Sequence, residues 1–463
     1  MAYDYQLVII GAGSAGLSAA DLSAGLGFTR VALVEASDRL GGECLHSGCV
    51  PSKALLHIAK QYGHEKDPWG HVQKSISLIQ NRSDNDEHFQ DRGVSVLHGR
   101  AAFVDAHTIT LDGQRRITSK YYLLATGSRP RVPDIAGLSD SGYHTNETIF
   151  SLDATPATLA ILGGGPIGCE LAMAFALLGT KVSLIQSGPR LLPREEASVS
   201  EAVRARMKEL GVQLYPNTDV QRVHKTADTK VLTLQQDGAQ QTIEAAQLLV
   251  AVGRQPVLES LDLEKAGVQY DDAGVHTNRY FQTGQRNIYA VGDCTPSPKF
   301  THLAGHQAGV ALRNMITPLF KKSGRYLDVT PWITYLQPEI GRIGMTEAEV
   351  KDAGLPHIVL QLNLRDIDRA ITDDAYEGYV KAIVDKGGKL LGATVLADNA
   401  GELLTPLCHI YYHKQSIASL ATTVIPYPTF ASGLNLLAAR YASETTRQNS
   451  LFRLLTRKWR TPN

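Results

Sequence analysis

The sequence is short of cysteine and has no surplus of charge of either sign. It has five cysteines in 463 residues, too few for the disulfide framework of a small secreted protein. Its 46 lysines and arginines equal its 46 aspartates and glutamates, so no positive field argues for a nucleic-acid partner. With 43% hydrophobic and 20% charged residues, the composition is typical of a globular protein of about three domains.

Hydrophobic runs that would target or anchor the chain are also lacking. The first apolar segment, YQLVII, is typical of a β-strand and no basic region precedes it, so we expect no signal peptide. A longer run at residues 159–179 has the length of a membrane span, but its glycine cluster and Glu170 favour a strand, a turn and a helix. We therefore expect a cytoplasmic protein.

What the sequence does contain is an internal repeat. Segments that begin at Leu7 and Leu159 both run from an apolar strand through a glycine turn into an Ala/Leu-rich helix and a second strand. In such a turn the first glycine allows the bend, the second admits a pyrophosphate and the third lets the helix pack on the strand. The sequence therefore predicts two dinucleotide-binding units. Their glycines are Gly11, Gly13 and Gly16 in the first unit and Gly163, Gly165 and Gly168 in the second.

The two copies of the repeat differ at the end of their second strand. Glu35 in the first copy is placed to accept a hydrogen bond from a ribose hydroxyl. Gln186 in the second copy has no carboxylate to hold a 2′-hydroxyl or to repel a 2′-phosphate, and Arg190 could meet such a phosphate. Gly168 as the third glycine favours NAD(H), but NADP(H) stays open.

Two cysteines, Cys44 and Cys49, lie five positions apart in the segment GGECLHSGCVPSK. A zinc site would need a second cysteine pair, and the other three cysteines are solitary. A structural disulfide does not suit a reducing compartment. The preferred interpretation is a dithiol that cycles with a disulfide beside a bound dinucleotide.

The spacing of the two cysteines constrains the local structure. Residues five apart in a regular helix have Cα atoms about 8 to 9 Å apart, beyond the reach of a disulfide. We therefore expect an irregular turn at Ser47 and Gly48, with Pro51 helping to start the helix that follows.

The cysteine segment resembles the redox-active segment of the flavoprotein disulfide oxidoreductases, and the resemblance covers essentially the whole chain. LLATGSRP, LLVAVGRQP and TGQRNIYAVGDC are similar to further segments of that family. The resemblance implies an α/β fold with two Rossmann-like dinucleotide-binding domains, for FAD and for NAD(P), and a C-terminal α+β dimerisation domain. The expected boundaries are 1–150 for the FAD-binding domain, 151–280 for the NAD(P)-binding domain, 281–328 for a return segment of the FAD-binding domain and 329–463 for the dimerisation domain.

The resemblance also implies a reaction in a homodimer. Electrons pass between NAD(P)H, FAD and a Cys44–Cys49 disulfide, with Cys49 on the flavin side and Cys44 exchanging with a small or protein-bound disulfide or dithiol. Lys53 lies near the flavin, paired with Glu170. No metal site is expected. Further cofactor contacts are expected, beside the two glycine triplets, from Glu35, Gln186, Gly42, Lys53, Ala101, Thr126, Gly127, Asp293, His302 and Gly253.

One segment departs from the family pattern. The family's thiol reductases have a histidine oriented by a glutamate where this sequence has Tyr427 and Ser432. An unperturbed phenol, with a pKa near 10, is a poor base at neutral pH compared with imidazole. A tyrosine at this place resembles mercuric reductase, but no cysteine follows Cys408 to form that enzyme's C-terminal pair.

The electron acceptor is therefore left open. The first hypothesis is a disulfide, as for dihydrolipoamide dehydrogenase, and the second is Hg(II), a quinone or oxygen. The third is a redox-sensing or partner-binding flavoprotein with little turnover. Residues 447–460 hold five basic residues and no acidic ones among Leu, Phe and Trp, a pattern of either a weak membrane or partner contact or a solvated terminal helix.

Overall fold

The computed structural model describes residues 3–63, 67–318, 321 and 329–448. The basic segment at residues 447–460 lies outside the described residues apart from the backbone of its first two. The chain divides into two compact units. Unit 1 is Met1–Leu191 with Ala205–Asp328, and unit 2 is Leu192–Arg204 with Val329–Asn463.

The helices and strands are numbered in chain order. The α-helices are α1 (Ser14–Gly25), α2 (Gly42–His46), α3 (Cys49–Tyr62), α4 (Pro68–Arg82), α5 (Asp86–Gln90), α6 (Pro166–Leu177), α7 (Ala197–Glu209), α8 (Thr301–Ile316), α9 (Glu347–Asp352), α10 (Asp368–Thr372), α11 (Ala400–Tyr412), α12 (Ala418–Ala421) and α13 (Ser432–Gln448). The β-strands are β1 (Tyr5–Ile10), β2 (Val31–Glu35), β3 (Val94–His98), β4 (Ala101–Asp105), β5 (Thr108–Leu111), β6 (Arg115–Leu124), β7 (Ser128–Pro130), β8 (Thr158–Leu162), β9 (Lys181–Ile185), β10 (Gln213–Tyr215), β11 (Thr218–Lys225), β12 (Lys230–Gln236), β13 (Ala239–Ala245), β14 (Gln247–Val250), β15 (Arg254–Pro256), β16 (Tyr270–Asp271), β17 (Gly274–Val275), β18 (Ile288–Ala290), β19 (Trp332–Thr334), β20 (Glu339–Gly344), β21 (Ile358–Asn363), β22 (Tyr379–Val384) and β23 (Leu390–Ala397). None of the helices in the described part of the chain is long and apolar enough to cross a membrane.

The first copy of the repeat forms a parallel sheet in unit 1. Strands β3, β2, β1 and β6 lie side by side in that order, and β18 pairs with β6, all in parallel. Leu7, Val8 and Ile9 of β1 are completely buried, because a parallel strand covered on both faces is hydrophobic throughout. Helix α1 connects β1 to β2, as the repeat predicts.

The second copy forms a second parallel sheet in unit 1, in the order β10, β9, β8 and β14. The apolar run at residues 159–179 is strand β8 followed by helix α6, so the expected strand, turn and helix are confirmed. Glu170 on α6 is only 5% exposed. A buried carboxylate needs a partner, and that partner belongs to the candidate site.

Unit 2 contains an antiparallel sheet in the order β19, β20, β23, β22 and β21. Strands β22 and β23, which are joined through the sequence KGGK at residues 386–389, are antiparallel neighbours. Helices α11 and α13 contribute to the same hydrophobic core, for example through Leu403, Leu407 and Leu437. The predicted α/β fold with a C-terminal α+β domain is therefore confirmed.

Residues Leu192–Arg204 group with unit 2, although the sequence analysis places them in the NAD(P)-binding domain. Buried charges explain this placement. Lys381 Nζ lies 2.7 Å from Glu196 Oε2 and 2.5 Å from Glu347 Oε2, and Lys381 and Glu196 are 8% and 9% exposed. Charges removed from water need close partners of opposite sign, so this segment belongs with the sheet of unit 2.

Replacing Lys381 by methionine should destabilise the protein by about 3 to 5 kcal/mol, because it leaves Glu196 buried without its cation. Thermal unfolding followed by circular dichroism measures the change. Lys351→Met is the matched control, since Lys351 bonds the same Glu347 at 2.6 Å but is 61% exposed in its side chain, and it should cost about 1 kcal/mol or less. Equal effects of the two substitutions would contradict the assignment.

Candidate active site

The two cysteines lie on two consecutive helices. Cys44 is on α2 and Cys49 opens α3, and the chain leaves helical geometry between them at Ser47 (φ −147°) and Gly48 (φ −123°, ψ −115°). The expected irregular turn is therefore present. Both cysteines are thiols in the structure, Cys44 half-buried and Cys49 exposed, and they hydrogen-bond each other.

Thr301, the first residue of α8, joins the two sulfurs. Its hydroxyl oxygen lies 3.4 Å from Cys44 Sγ and 3.5 Å from Cys49 Sγ. Hydrogen bonds from Cys44 and Thr301, together with the positive charge of Lys53, lower the pKa of Cys49 to about 6. The hydrogen bond with Cys49 raises the pKa of Cys44. At neutral pH Cys49 is thus the thiolate and Cys44 its hydrogen-bond donor.

An ion pair lies behind Cys49. Lys53 is one helical turn after Cys49 on α3, and its Nζ lies 2.7 Å from Glu170 Oε2 on α6. The Glu170 side chain is 7% exposed and that of Lys53 33%. The structure thus brings together two residues that the sequence analysis pairs. The lysine charge stabilises a neighbouring anion, and the carboxylate offsets the cost of burying the lysine.

A second ion pair ties the cysteine segment to β15. Arg254 Nη1 donates to Glu43 Oε1 at 2.5 Å, and Arg254 Nη2 also bonds Glu43 Oε2. The Asn146 side chain bonds both ends of α2, at Glu43 Oε1 (2.5 Å) and at the Ser47 carbonyl (3.0 Å). Helix α2 has only one turn, so these contacts hold Cys44 in place.

The same arginine connects to Asp293, one of the predicted cofactor-binding residues. Arg254 Nε donates to Ser128 Oγ at 2.9 Å, and Ser128 Oγ donates to Asp293 Oδ2 at 2.6 Å. Arg254 Nε itself is 3.8 Å from Asp293 Oδ2. The chain of contacts runs from the cysteine segment to a predicted cofactor residue.

The first glycine turn has the shape that a pyrophosphate needs. Gly11 has φ +103°, and a Cβ there would lie 2.4 Å from the Ala125 carbonyl oxygen. A Cβ at Gly16 would lie 1.8 Å from the Gly11 carbonyl oxygen. A Cβ at Gly13 would meet only the Cα of Gly42, at 4.0 Å. A side chain at Gly13 would fill the space over the N-terminus of α1 where a phosphate binds. Because Gly13 has no side chain, the turn leaves room for a dinucleotide.

The second turn repeats this geometry. A Cβ at Gly163 would lie 2.4 Å from the Ala251 carbonyl oxygen, and one at Gly168 would lie 1.8 Å from the Gly163 carbonyl oxygen. A Cβ at Gly165 would meet nothing within 4 Å. The second turn therefore fits a second dinucleotide at the N-terminus of α6.

Glu35, at the end of β2, and Gln186, directly after β9, make equivalent hydrogen bonds in the two copies of the repeat. The Ala12 amide donates to Glu35 Oε2, and the Gly164 amide donates to Gln186 Oε1, both at 2.8 Å. The Glu35 carboxylate can only accept further hydrogen bonds, whereas the side-chain amide nitrogen of Gln186 can donate them. A donor can bond either a ribose hydroxyl or a 2′-phosphate, so the second turn has no group that repels NADP(H).

Three further predicted cofactor residues lie where β7 and β15 pair. Thr126 Oγ1 donates to the Val257 carbonyl at 2.7 Å. Gly127 and Gly253 have φ +72° and +135°, and the Gly253 carbonyl accepts from the Arg131 amide at 2.9 Å. These contacts join the two crossing segments, and the cofactor roles stay predictions.

The remaining predicted cofactor residues are scattered. A Cβ at Gly42 would lie 2.7 Å from the Cα of Gly13, so these two segments approach closely. Ala101 is buried at the start of β4. The His302 ring on α8 stacks on Phe300, with centroids 5.5 Å apart. None of these contacts reports on a cofactor.

Tyr427 lies in unit 2 and is 73% exposed. Its hydroxyl donates to Asp368 Oδ2 at 2.9 Å, and this hydrogen bond raises the pKa of Tyr427. Ser432 instead donates to the Thr429 carbonyl at 2.6 Å. Tyr427 therefore keeps its proton at neutral pH and can offer its oxygen only as an acceptor.

Comparison with known proteins identifies the family. Residues 5–308 match the family described as pyridine nucleotide-disulphide oxidoreductase, and residues 330–438 match its dimerisation domain. The fold and the paired thiols define a flavoprotein disulfide reductase. The chain belongs to the pyridine nucleotide-disulphide oxidoreductases.

Individual relatives cover nearly the whole chain. Mercuric reductase from Staphylococcus aureus is 34% identical, over 96% of this chain and 84% of the relative. Dihydrolipoyl dehydrogenase from Haloferax volcanii is 31% identical, over 93% and 94%. The solved structure of the HOCl-induced flavoprotein disulfide reductase RclA from Escherichia coli has a TM-score of 0.86 at 28% identity, over 94% of this chain and 99% of that one.

These findings establish the class of activity. The protein is an FAD-dependent NAD(P)H disulfide oxidoreductase, and FAD and NAD(P)H are its cofactors. The two glycine turns of unit 1 fit two dinucleotides. The match to the dimerisation domain supports a homodimer.

Three contacts of the cysteine segment were not foreseen: those of Thr301, Arg254 and Asn146. Thr301 and Cys44 are 257 positions apart, and a lone threonine before a histidine gives no signal. Arg254 lies inside the segment LLVAVGRQP, whose match to the family could have drawn attention to it. Asn146 has no such signal.

Replacing Thr301 by valine should raise the pKa of Cys49 from about 6. A hydrogen bond to a charged group contributes about 1.5 kcal/mol or more, so the expected rise is about one pH unit. Ultraviolet absorbance of the thiolate during a pH titration of the reduced protein measures it, with Cys44→Ser/Cys49→Ser protein as the blank. Thr301→Ser keeps the hydroxyl and should keep the wild-type midpoint. A wild-type midpoint near the free-thiol value of about 8.5 would refute this account.

Replacing Gln186 by glutamate should shift coenzyme preference toward NADH. The new carboxylate would accept from the 2′-hydroxyl and repel a 2′-phosphate. We expect the ratio of kcat/KM for NADH to that for NADPH to rise about tenfold, equivalent to roughly 1.4 kcal/mol. Glu35→Gln, at the equivalent place of the first turn, is the control and should alter FAD retention without changing the ratio. An unchanged ratio in Gln186→Glu would show that this residue does not face the ribose.

Proposed function

We propose that Cys44 and Cys49 form the disulfide through which this enzyme passes electrons, with Cys49 on the flavin side and Cys44 exchanging with the acceptor. The observation that carries the proposal is the Thr301 hydroxyl within 3.5 Å of both sulfurs, beside a thiol whose pKa is lowered to about 6. NAD(P)H and one proton convert the disulfide into two thiols and leave NAD(P)⁺. Bound FAD supplies the two-electron relay between the nicotinamide and the disulfide.

Residues of unit 1 would hold the reacting groups. Lys53 stabilises the Cys49 thiolate, and Glu170 keeps Lys53 charged and in place. The first glycine turn, with Glu35 and Asp293, would bind FAD, and the second turn, with Gln186, would bind NAD(P)H. Their parallel geometry supports this assignment, with residues 1–150 and 281–328 as the FAD-binding domain and 151–280, apart from Leu192–Arg204, as the NAD(P)-binding domain.

We propose a disulfide, small or protein-bound, as the acceptor. Attack on a disulfide needs a thiolate, and the Cys49 thiolate, which is hydrogen-bonded to Cys44, can take up the proton that Cys44 loses as it attacks. Tyr427, which replaces the family's histidine, is not a base, because its hydroxyl keeps its proton and donates it to Asp368 Oδ2. We propose the cytoplasm as the compartment, since five cysteines in 463 residues are too few for a secreted disulfide framework.

A thiophilic metal ion such as Hg(II) is the second candidate acceptor. The tyrosine at the position of the family's histidine and the mercuric reductases among the relatives favour it. Against it stands Cys408, which is half-buried and whose pKa burial raises to about 11. A half-buried thiol that stays protonated is a poor ligand for collecting a metal ion from the surface, because the thiolate is the form that binds metals.

Replacing Cys44 by serine should reduce NAD(P)H-dependent disulfide reduction to background, because serine cannot exchange with a disulfide. The assay uses the FAD-loaded enzyme with lipoamide, glutathione disulfide, Hg²⁺ and a quinone as separate acceptors. Cys408→Ser, which removes a thiol outside the pair, should retain wild-type turnover.

The panel also separates the acceptor classes. Turnover that depends on Cys44 only with Hg²⁺ would favour the second candidate. Unchanged disulfide turnover in Cys44→Ser would refute the proposed function.

A further inference from the structure

A histidine of unit 1 outside the redox site contacts two hydrogen-bond acceptors at once. His98 is the last residue of β3. Its Nδ1 lies 2.7 Å from the Ser37 carbonyl oxygen, and its Nε2 lies 2.9 Å from Asp86 Oδ2. A carbonyl and a carboxylate can only accept, and a neutral imidazole has a single N–H. Both contacts together therefore require the doubly protonated, positively charged ring.

The two contacts of His98 differ in strength. The side chains of His98 and Asp86 are 36% and 42% exposed, so water screens this ion pair and it contributes little by itself. The hydrogen bond to the Ser37 carbonyl is the main reason that the pKa of His98 is raised, and the hydrogen bond to Asp86 adds to it. The ring is thus attached chiefly to the segment that follows β2.

Ser37 leads directly to Glu35, the residue predicted to accept from a ribose hydroxyl. The Ser37 amide donates to Glu35 Oε1 at 2.9 Å, and the Ala12 amide donates to Glu35 Oε2 at 2.8 Å. Glu35 and His98 are also register partners on the parallel strands β2 and β3, so their side chains leave the sheet on the same side. The Glu35 carboxylate is therefore fixed between the first glycine turn and the segment that His98 holds.

The charges around His98 favour its protonated form. Asp86 on α5 and Glu35 on β2 act most strongly on the ring, and both raise the pKa of His98. The other charged residues on the surrounding elements are Asp38, Arg39, Glu87 and Arg100. The ring consequently stays charged above the ordinary imidazole pKa of about 6.5, and it loses its charge as the pH rises through the raised pKa.

We infer that His98 is a positioning residue for FAD, because its charged ring holds Ser37 and, through Ser37, the Glu35 carboxylate that would bind the ribose. The inference rests on the proposed binding of FAD at the first glycine turn. A neutral ring either releases Ser37 or turns a lone pair toward the Asp86 carboxylate, which repels it. Glu35 is then held less firmly, so the retention of FAD should fall as the pH rises through the pKa of His98.

The test measures the rate of FAD release from FAD-loaded protein, by ultrafiltration and absorbance of the filtrate, from about pH 6 to about pH 9. The parent carries Cys44→Ser and Cys49→Ser, because the Cys49 thiol, with a pKa of about 6, would add its own pH dependence. His98→Leu should release FAD about five- to tenfold faster than the parent at the low end of this range, since it loses charged hydrogen bonds. This ratio should shrink toward the high end.

Two further variants separate positioning by a charged ring from a merely structural role. His98→Asn places an amide nitrogen near the position of Nδ1, where it can donate to the Ser37 carbonyl without titrating, so its slow release should not depend on pH. Asp86→Asn removes a charge that favours the protonated ring, so the midpoint of the pH dependence should move to lower pH. An unchanged midpoint in Asp86→Asn contradicts the inference.

His276→Leu is the matched control, because His276 is an exposed histidine of unit 1 whose Nε2 also lies 2.9 Å from a carboxylate, Asp271 Oδ2. It should release FAD as the parent does, and equal circular dichroism spectra show that the variants fold. Faster release in His98→Leu that fades at high pH, without an effect in the control, supports the inference. Equal acceleration in the control overturns it.

Parent-like release in His98→Leu also overturns the inference, and Glu35→Gln then shows whether the proposed function fails with it. Faster release in Glu35→Gln leaves FAD at the first glycine turn and removes only the role of His98. Parent-like release in both variants refutes the placement of FAD as well.

Discussion

The redox segment depends on a helix that stops for two residues. In one regular helix Cys44 and Cys49 would have Cα atoms about 8 to 9 Å apart, too far for a sulfur–sulfur bond. Ser47 and Gly48 break that helix, and a Cβ at Gly48 would lie only 3.0 Å from the Glu43 carbonyl oxygen. The break brings the two thiols within hydrogen-bond distance of each other and of Thr301, which neither helix could achieve alone.

The buried ion pair links this segment to the second copy of the repeat. Lys53 follows Cys49 by one turn of α3, and Glu170 is the fifth residue of α6, the helix whose N-terminus closes the second glycine turn. Helix α6 therefore presents the amides of its N-terminus to the second glycine turn and the Glu170 carboxylate to Lys53. Because a buried lysine needs a counter-charge, the cysteine segment and the second nucleotide turn hold each other in register.

Local patterns in the sequence were sufficient for the fold and for part of the site. Two glycine turns with their flanking apolar strands predict the parallel sheets, and the five-residue spacing of the cysteines predicts the broken helix. Contacts between distant segments could not be predicted in this way. Thr301 and Asn146 are ordinary polar residues until folding carries them to Cys44 and Glu43, and the Leu192–Arg204 placement follows from Lys381, far along the chain.

The protonation of the two thiols limits which acceptors this site can serve. Cys44, Thr301 and Lys53 together hold Cys49 as a thiolate, whereas the raised pKa of Cys44 leaves that thiol protonated. Exchange is fastest when the leaving thiol is acidic, and a soft metal ion displaces thiol protons by itself. Disulfides with acidic leaving groups, and after them thiophilic ions, therefore demand least from the residues that this chain provides.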